Sequence, residues 1–212
     1  MDYIDVQKIY IIGAGGHASV VLDIIKSLGD SAINKVSGFF VDTIDKGSKV
    51  MGIEVLGNIS DISNCSSKDV GFVIAIGSNE AREKISKKLD KLNYITLIHN
   101  SAIIGSDVVL EAGTVVMAKA VINAHAKIGA HVIINSGAIV EHDCYVGDYV
   151  HISPGAVLCG AVTVGSGSWV CAGATIIPKV KICENTIVGA GATVISDIIE
   201  SGRYVGLPAK KI

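Results

Sequence analysis

The sequence lacks an uninterrupted apolar run of ~18 residues, the length that a membrane-spanning helix requires. Residues 1–5 contain no basic segment of the kind that begins a signal peptide. Lys and Arg number 18 against 20 Asp and Glu, without a basic cluster, so no nucleic-acid partner is expected. We therefore expect a cytoplasmic protein with no membrane segment. Half of the 212 residues are nevertheless hydrophobic, and the mean hydropathy is +0.52.

One pattern accounts for this apolar content, and its period is six. Every sixth residue from Ile98 to Val194 is Ile, Leu or Val without a break. Two residues before each of these positions the side chain is mostly small or β-branched, as at Ala102, Ala120 and Ala138. A period of six fits neither an amphipathic helix nor an alternating strand. It predicts a three-sided parallel β-helix with one short strand per hexapeptide and three hexapeptides per coil.

The predicted coil of eighteen residues makes residues eighteen apart stack on each other. The repeated aliphatic side chains then fill the interior of a prism of about five coils, and Gly or Asn permits the tight bends. Four of the five cysteines lie in this stretch, at 144, 159, 171 and 183. Because no two of them are eighteen residues apart, we expect reduced thiols and neither disulfides nor a zinc site.

Residues 1–97 have a different pattern, which predicts a Rossmann-like nucleotide-binding α/β half-unit. An aliphatic strand at 8–12 is followed by Gly-Ala-Gly-Gly-His-Ala at 13–18 and then by apolar residues at helical spacing. This order satisfies the loose G-x-G-x-x-A form of the dinucleotide fingerprint. Glycines in such a turn admit a phosphate close to the backbone, and the helix N-terminus supplies free N–H groups. The segment is too short for a six-stranded dinucleotide fold, so one nucleotide is expected.

Two further strands are predicted in this region, at 36–41 and 72–76. Asp42 follows the first, where an acid could meet a ribose hydroxyl, and Gly77 and Ser78 close the second. The residues alone leave other interpretations open. The glycine turn is also compatible with a β–α connection that binds no ligand. His17 could instead cap the helix, and Asp42 could be an ordinary solvated acid.

The predicted domains are therefore the α/β unit at 1–97, the prism at 98–195 and a tail at 196–212. Gly and Pro at 206–208 suit a chain that leaves the prism. Lys210 is interpreted either as a solvated charge or as a phosphate contact.

Four histidines lie on the predicted prism, at 125, 131, 142 and 151. His125 and Asp143 are eighteen residues apart and should share a column, with His142 beside Asp143. His142 and Asp143 take bend positions that reach outward. An imidazole with an ordinary pKa of about 6.5 suits a general base, and an adjacent carboxylate would set its tautomer. His151 is expected on a flat face, and an ordinary surface role stays open for each histidine.

These features together resemble one known family. The prism, Gly-x-Gly-Gly-His at 13–17, Val-Glu-His-Asp at 140–143 and Gly-Leu-Pro-Ala-Lys at 206–210 are similar to bacterial left-handed β-helix sugar acetyltransferases of the bacillosamine and sialic-acid pathways. The resemblance covers essentially the whole chain. It implies a left-handed coil, against the general right-handed preference of crossovers, a homotrimer and acetyl-CoA as co-substrate.

The resemblance also implies functions for individual residues. His142 matches the base that takes a proton from the sugar amine, and Asp143 matches its supporting acid, which is Glu in many relatives. Two positions, Asn135 and His151, match residues lining a cleft between neighbouring prisms. The nucleotide-sugar positions are Gly13, Gly16, His17, Asp42, Gly77 and Ser78. The acetyl-CoA positions are Gly160, Ala172, Ala190 (a glycine in some relatives) and Lys210.

The implied reaction is direct acetyl transfer to the amino group of a nucleotide-linked sugar, with a UDP-4-amino-4,6-dideoxy sugar as the expected acceptor. It requires no metal and no covalent intermediate. An O-acetyltransferase acting on sialic acid or a related sugar shares all these features. A zinc enzyme of the γ-carbonic anhydrase type is disfavoured because no two histidines are five apart. A non-catalytic trimer that senses a nucleotide such as NAD is the remaining alternative.

Overall fold

The structure is a computed structural model that describes residues 5–62 and 67–212. Most of the N-terminal segment considered for a signal peptide therefore lies outside the described residues. The chain divides by its internal contacts into two units, Met1–Asn100 and Ser101–Ile212. Within the described ranges, no helix is both long enough and apolar enough to cross a membrane.

The first unit contains a five-stranded sheet, with helices between some of its strands. Its elements are β1 (Lys8–Ile12), α1 (Gly16–Ser27), α2 (Asp30–Ile33), β2 (Val36–Phe40), β3 (Lys49–Val50), β4 (Ile53–Gly57), a 3₁₀ turn (Ile59–Asp61), β5 (Val70–Ile74), α3 (Asn79–Lys88) and β6 (Leu97–Ile98). The sheet order is β3-β4-β2-β1-β5, with β3 antiparallel to β4 and the other pairs parallel. The predicted α/β half-unit is therefore confirmed.

Burial explains why these segments form the sheet. Ile9 and Ile11 in β1 and Val73 in β5 are completely buried, which is typical of parallel strands covered on both faces. The sequence analysis predicted no strand at β4. Pairing with β2 makes this segment a strand.

The strand order creates a crevice at one edge of the sheet. From β1 the chain moves to β2 and β4 on one side and then returns to β5 on the other side of β1. Parallel sheets bind ligands at such a switch point, outside the carboxyl ends of the strands. Here the two carboxyl ends are joined directly, since Ala75 N donates to Ile12 O at 2.8 Å.

The second unit is a left-handed parallel β-helix, as predicted, with short strands on three faces, each of two residues except the three-residue β23. The first face carries β7 (Ile103–Ile104), β10 (Val121–Ile122), β13 (Ile139–Val140), β16 (Val157–Leu158), β19 (Thr175–Ile176) and β22 (Thr193–Val194). The second face carries β8 (Val109–Leu110), β11 (Lys127–Ile128), β14 (Tyr145–Val146), β17 (Thr163–Val164) and β20 (Lys181–Ile182). The third face carries β9 (Val115–Val116), β12 (Ile133–Ile134), β15 (His151–Ile152), β18 (Trp169–Val170), β21 (Ile187–Val188), β23 (Arg203–Val205) and β24 (Lys210–Lys211).

The interior of the prism is the aliphatic ladder that the period of six predicts. Neighbouring strands pair in parallel eighteen residues apart, as Val121 with Ile139. From Val116 to Val194, every sixth residue exposes at most 2% of its surface. The small residues two positions earlier, such as Ala138 and Ala156, are buried at 0% exposure. Each coil therefore stacks its apolar side chains directly on those of the coil before it.

The bends require a left-handed backbone at one position of each hexapeptide. A positive φ recurs at every sixth residue from Asp107 to Gly191. Some of these residues are glycines, but His125, His131 and Asp143 also take this conformation, with φ of 62°, 54° and 59°. The left-handed conformation is unfavourable for residues with a Cβ atom. Here the hydrogen bonds of the neighbouring coils hold the backbone in it.

The expectation that the chain leaves the prism after Val194 is wrong. β23 pairs in parallel with β21, and β24 folds back antiparallel on β23. Ile198 forms a further bridge with Ile182. The tail stays on the prism because this pairing satisfies backbone groups that an open sheet end would leave unbonded.

Candidate active site

His142 and Asp143 form a hydrogen-bonded pair at the bend between the first and second faces. His142 Nδ1 lies 2.7 Å from Asp143 Oδ2, and the two side chains are 60% and 56% exposed. A carboxylate can only accept a hydrogen bond, so Nδ1 is the donor of this pair, and in the neutral ring Nε2 then carries the lone pair. The structure thus brings together the two predicted catalytic residues and leaves a basic nitrogen accessible.

The bend that carries this pair is held from both sides. Asp143 N donates to Ala124 O in the preceding coil at 3.1 Å, and Ala161 N donates to His142 O at 2.9 Å. Gly160, eighteen residues after His142, lies directly against the imidazole. A Cβ atom at Gly160 would lie 2.8 Å from both Cε1 and Nε2 of the ring. Gly160 therefore provides the space in which the imidazole lies.

The other histidines near this column have different surroundings. His125 Nδ1 lies 3.7 Å from Asp107 Oδ2, and both side chains are mostly exposed. This distance is too long for a hydrogen bond, and exposed pairs of this kind contribute little. His131 is buried and its ring stacks on Tyr149, with centroids 5.5 Å apart. Neither residue has the geometry of the His142 pair.

Asn135 and His151 are also brought together, on the third face. Asn135 Nδ2 lies 3.0 Å from His151 Nε2, and the His151 ring stacks on Trp169 at 5.6 Å. Trp169 Nε1 in turn donates to Ser153 Oγ at 2.7 Å. His151 takes an outward-facing position, as predicted, yet only 9% of its surface is exposed.

These two groups lie at opposite edges of the first face. His142 follows β13, at the bend leading to the second face, whereas Asn135 follows β12, at the bend leading from the third face. A single prism therefore does not bring the predicted base and the Asn135–His151 pair to a common bend.

The predicted acetyl-CoA positions divide in the same way. Ala172 and Ala190 are exposed and stack eighteen residues apart at the bend between the third and first faces. Gly160 lies in the His142 column instead. Lys210 is exposed on β24.

Several predicted nucleotide-binding residues meet at the carboxyl ends of β1 and β5. Gly13 has a φ of +97°, and a Cβ atom there would lie 2.7 Å from Ile76 Cγ1, so the glycine turn packs tightly against the end of β5. Gly16 and Gly77 border open space. Ser78 accepts a hydrogen bond from Ala81 N at 3.3 Å and caps α3, a structural role that the sequence analysis did not consider.

The N-terminus of α1 at this crevice is suited to an anion. It has no side-chain cap and no acidic residue in its first turn, so its N–H groups and the helix dipole favour a negative charge. His17 follows at the second helical position. Burial and, secondarily, the nearby charge of Arg82 lower the pKa of His17 to about 4, so its imidazole is neutral at pH 7.

The sequence analysis missed Arg82, which is 1% exposed on α3. Its guanidinium donates to the carbonyls of Ile76 and Gly77 and to Asn79 Oδ1. The available signal was its spacing, since Arg82 and Ser86 form a buried stripe on α3 that continues to Leu89 just after the helix.

Asp42 lies beside a cavity of about 540 Å³ in the first unit. The cavity is also lined by Asn58, Ile59, Ser60, Ala81, Lys84, Ile85 and Lys88. Oδ1 of Asp42 accepts a hydrogen bond from Ile59 N at 2.8 Å, so one carboxylate oxygen has a structural role. The volume is in the range of small-ligand sites.

The thiols of the prism offer little chemistry. Cys144, Cys159, Cys171 and Cys183 are free, and burial raises the pKa of Cys144 to about 11. Across residues 5–62 and 67–212, no three His, Cys, Asp or Glu side chains converge as metal ligands would.

The chain matches two known domain families in the order of its two units. Residues 8–89 match the PglD N-terminal domain, and residues 125–160 and 161–196 match the bacterial transferase hexapeptide of six repeats. Its fold is similar to the acetyltransferase domain of PglB from Neisseria gonorrhoeae FA1090. The identity is 32% and the TM-score 0.88, over 97% of this chain and 100% of that one.

A second solved relative is a histidine-to-asparagine point mutant of perosamine N-acetyltransferase from Caulobacter crescentus, in complex with CoA and GDP-perosamine. It is 36% identical with a TM-score of 0.86, over 96% of this chain and 95% of that one. The chain therefore belongs to the family of left-handed β-helix sugar acetyltransferases that carry a PglD-type N-terminal domain.

Among curated proteins, UDP-N-acetylbacillosamine N-acetyltransferase of Bacillus subtilis (strain 168) is 40% identical over 114 residues. The match spans 53% of this chain and about half of that relative, 52%.

Proposed function

We propose that this protein transfers the acetyl group of acetyl-CoA to the amino group of a nucleotide-linked amino sugar. The observation that carries the proposal is the exposed His142–Asp143 pair, with Nε2 available beside Gly160. Relatives support the substrate classes. The perosamine enzyme was solved with CoA and GDP-perosamine, and the PglB domain with acetyl coenzyme A.

The proposed mechanism needs one proton acceptor. Nε2 of His142 takes a proton from the sugar amine as its nitrogen attacks the thioester carbonyl, and Asp143 stabilises the resulting imidazolium. The tetrahedral intermediate collapses to the amide, and the CoA thiolate leaves and recovers the proton from the imidazolium. A backbone N–H is the expected donor to the oxyanion, and holding both substrates together supplies much of the rate.

The first unit is proposed to bind the nucleotide. Its diphosphate would lie at the N-terminus of α1, near Gly13, Gly16, His17, Gly77 and Ser78, where N–H groups favour an anion. The base and ribose would extend toward the cavity beside Asp42.

Acetyl-CoA is proposed to lie along the bends of the prism, with Gly160, Ala172 and Ala190 next to its pantetheine arm and Lys210 near a phosphate. Small side chains at exposed bends permit this close approach. We propose that the reaction takes place in the cytoplasm, where free thiols such as those of the prism remain reduced.

The active protein is proposed to be a homotrimer with sites between neighbouring prisms. The support is the separation of His142 from Asn135 and His151 at opposite edges of the first face. Two copies side by side can bring His142 of one chain to the Asn135–His151 pair of another. Mixing inactive His142→Asn chains with inactive Asn135→Ala chains should then restore activity. Mixtures that stay as inactive as the separate variants would oppose a shared site.

The direct test is an acetyl-transfer assay with acetyl-CoA and a panel of UDP- and GDP-linked 4-amino-4,6-dideoxy sugars. We expect CoA release with at least one amino sugar and a product that gains one acetyl group by mass spectrometry. The matched control is the same nucleotide sugar with a hydroxyl in place of the amine. An amide product survives mild alkali, whereas an O-acetyl ester does not. Absence of CoA release across the panel would contradict the proposal.

A further inference from the structure

Arg82 is the largest of the fully buried side chains described in the structure, with 1% of its surface exposed. It lies one turn inside α3, next to the crevice at the carboxyl ends of β1 and β5. A guanidinium is rarely buried, because removing its charge from water costs free energy that its hydrogen bonds must offset. Its burial here therefore calls for a functional explanation.

Three hydrogen bonds of Arg82 reach the junction between β5 and α3. Nη1 donates to Ile76 O at 3.1 Å and to Gly77 O at 3.3 Å, and Nη2 donates to Asn79 Oδ1 at 2.9 Å. Ile76 and Gly77 belong to the loop that joins β5 to α3, and Asn79 is the first residue of α3. The planar guanidinium can bond several acceptors in a fixed geometry, which an ammonium group cannot do. Arg82 thus sets the conformation of this loop.

The same loop forms one wall of the crevice. The glycine turn after β1 packs against it, since a Cβ atom at Gly13 would lie 2.7 Å from Ile76 Cγ1 and 3.1 Å from Ala75 O. Gly77, which Arg82 holds by its carbonyl, borders open space. A shift of the loop would therefore change the width of the opening between the two turns.

His17 shares the electrostatic environment of Arg82. The charge of Arg82 adds to the effect of burial in lowering the pKa of His17 to about 4. Nε2 of His17 is buried, and among the described residues it has no hydrogen-bond partner. A ligand in the crevice would supply the partner that a buried polar atom needs.

We infer that Arg82 is a positioning residue for the nucleotide diphosphate. It fixes the β5–α3 loop, supplies positive potential to the crevice and leaves His17 as a neutral hydrogen-bonding group for the ligand. The inference rests on the proposed function for the class of ligand, a nucleotide, and does not depend on acetyl transfer.

The test is the binding of UDP and GDP to Arg82→Gln by calorimetry. We expect the Kd of whichever nucleotide the unchanged protein binds to rise at least tenfold. In the acetyl-transfer assay the KM for the nucleotide sugar should rise, with the KM for acetyl-CoA unchanged. The NMR titration of His17 should also move to higher pH, because a nearby positive charge is lost. A purely structural role for Arg82 would not raise the KM for the nucleotide sugar selectively.

Lys87→Gln is the matched control, because it removes the same charge from an exposed position of the same helix, where Lys87 pairs with Glu83. Equal nucleotide affinity in Arg82→Gln and Lys87→Gln, with both proteins folded, would overturn the inference. If Arg82→Gln does not fold, nucleotide binding by Arg82→Lys tests the inference instead. It keeps the charge but not the planar donors, so binding should weaken, and unchanged binding would overturn the inference. Nucleotide binding that depends on Arg82, without acetyl transfer to any sugar, would refute the proposed function alone.

Discussion

The two units position functional groups by different physical means. In the prism, His142 lies on a bend whose backbone is hydrogen-bonded to the coils before and after it. In the first unit, the crevice depends on the glycine turn and on a loop that Arg82 holds through its side chain. The repeat thus provides a rigid support for an exposed base, whereas the α/β unit forms a concave site from non-repeating contacts. This difference predicts which substitutions affect chemistry, which affect stability and which affect ligand binding.

The largest effect is expected for His142, the proposed catalytic base. His142→Asn should lower kcat by about 10²–10⁴-fold, the usual contribution of a general base. Nucleotide binding to the first unit should be unchanged, because the side chain is exposed and belongs to the other unit. The measurement is steady-state kinetics with calorimetry of the nucleotide. His125→Asn is the matched control, because both imidazoles are 60% exposed on the same column of bends. Full kcat in His142→Asn would exclude it as the base.

The next effect concerns the stability of the prism. Leu158→Ala removes a side chain with 0% exposure and should cost about 2–5 kcal/mol of unfolding free energy. Val157→Ala, one residue earlier on the outer surface, should cost much less. Urea unfolding followed in each unit separately should show the loss in the prism, because repeat units depend mainly on their neighbours. Equal losses for both variants would contradict the inward and outward alternation.

The pH dependence of stability should come from the first unit. The pKa of His17 is about 4 in the folded protein against 6.5 normally. Below pH 6.5 His17 binds a proton in the unfolded chain but not in the folded chain. Stability therefore falls as the pH drops toward 4 and levels off below it. The loss should be roughly 3 kcal/mol at most. His17→Asn should flatten this part of the stability curve, measured by thermal unfolding. An unchanged slope would show that other groups cause it.

The smallest effect is expected where the imidazole meets the backbone. Gly160→Ala places a methyl group 2.8 Å from Cε1 and Nε2 of His142, so the ring must move and kcat should fall about tenfold. Gly155→Ala is the control for the replacement of a prism glycine away from His142. Gly155 has a φ of +64° and open space, so Ala there should cost about 1 kcal/mol of stability and leave kcat unchanged. Full activity of Gly160→Ala would mean that Gly160 does not position the ring.

Much of the prism could be predicted because its information is local and repeated. The period of six identifies the strands, the inward residues and the stacking distance, so His142 and Asp143 could be assigned to a bend before any coordinates. The first strand and helix of the α/β unit were predictable for a similar reason, since an aliphatic strand, glycines and helical spacing follow directly along the chain.

Other features could not be predicted because they depend on contacts between distant residues. β4 is a strand because it pairs with β2, and the tail stays on the prism because β21 offers unpaired backbone groups. The burial of Arg82 could not be predicted either. In the sequence it is one of several cationic residues in a charged segment, and its burial depends on how α3 packs. The stacking of His151 on Trp169 likewise follows from the eighteen-residue register and the ring orientations together.

The sequence by itself determined the period, the order of the two units and the bend that carries His142, because hydrophobic spacing and glycine placement act over a few residues. Only the tertiary structure decided that His142 lies against Gly160, that Arg82 is buried beside the loop after β5 and that His17 is neutral at pH 7. Burial and electrostatic environment depend on all neighbouring elements at once, and the linear order of residues does not contain them.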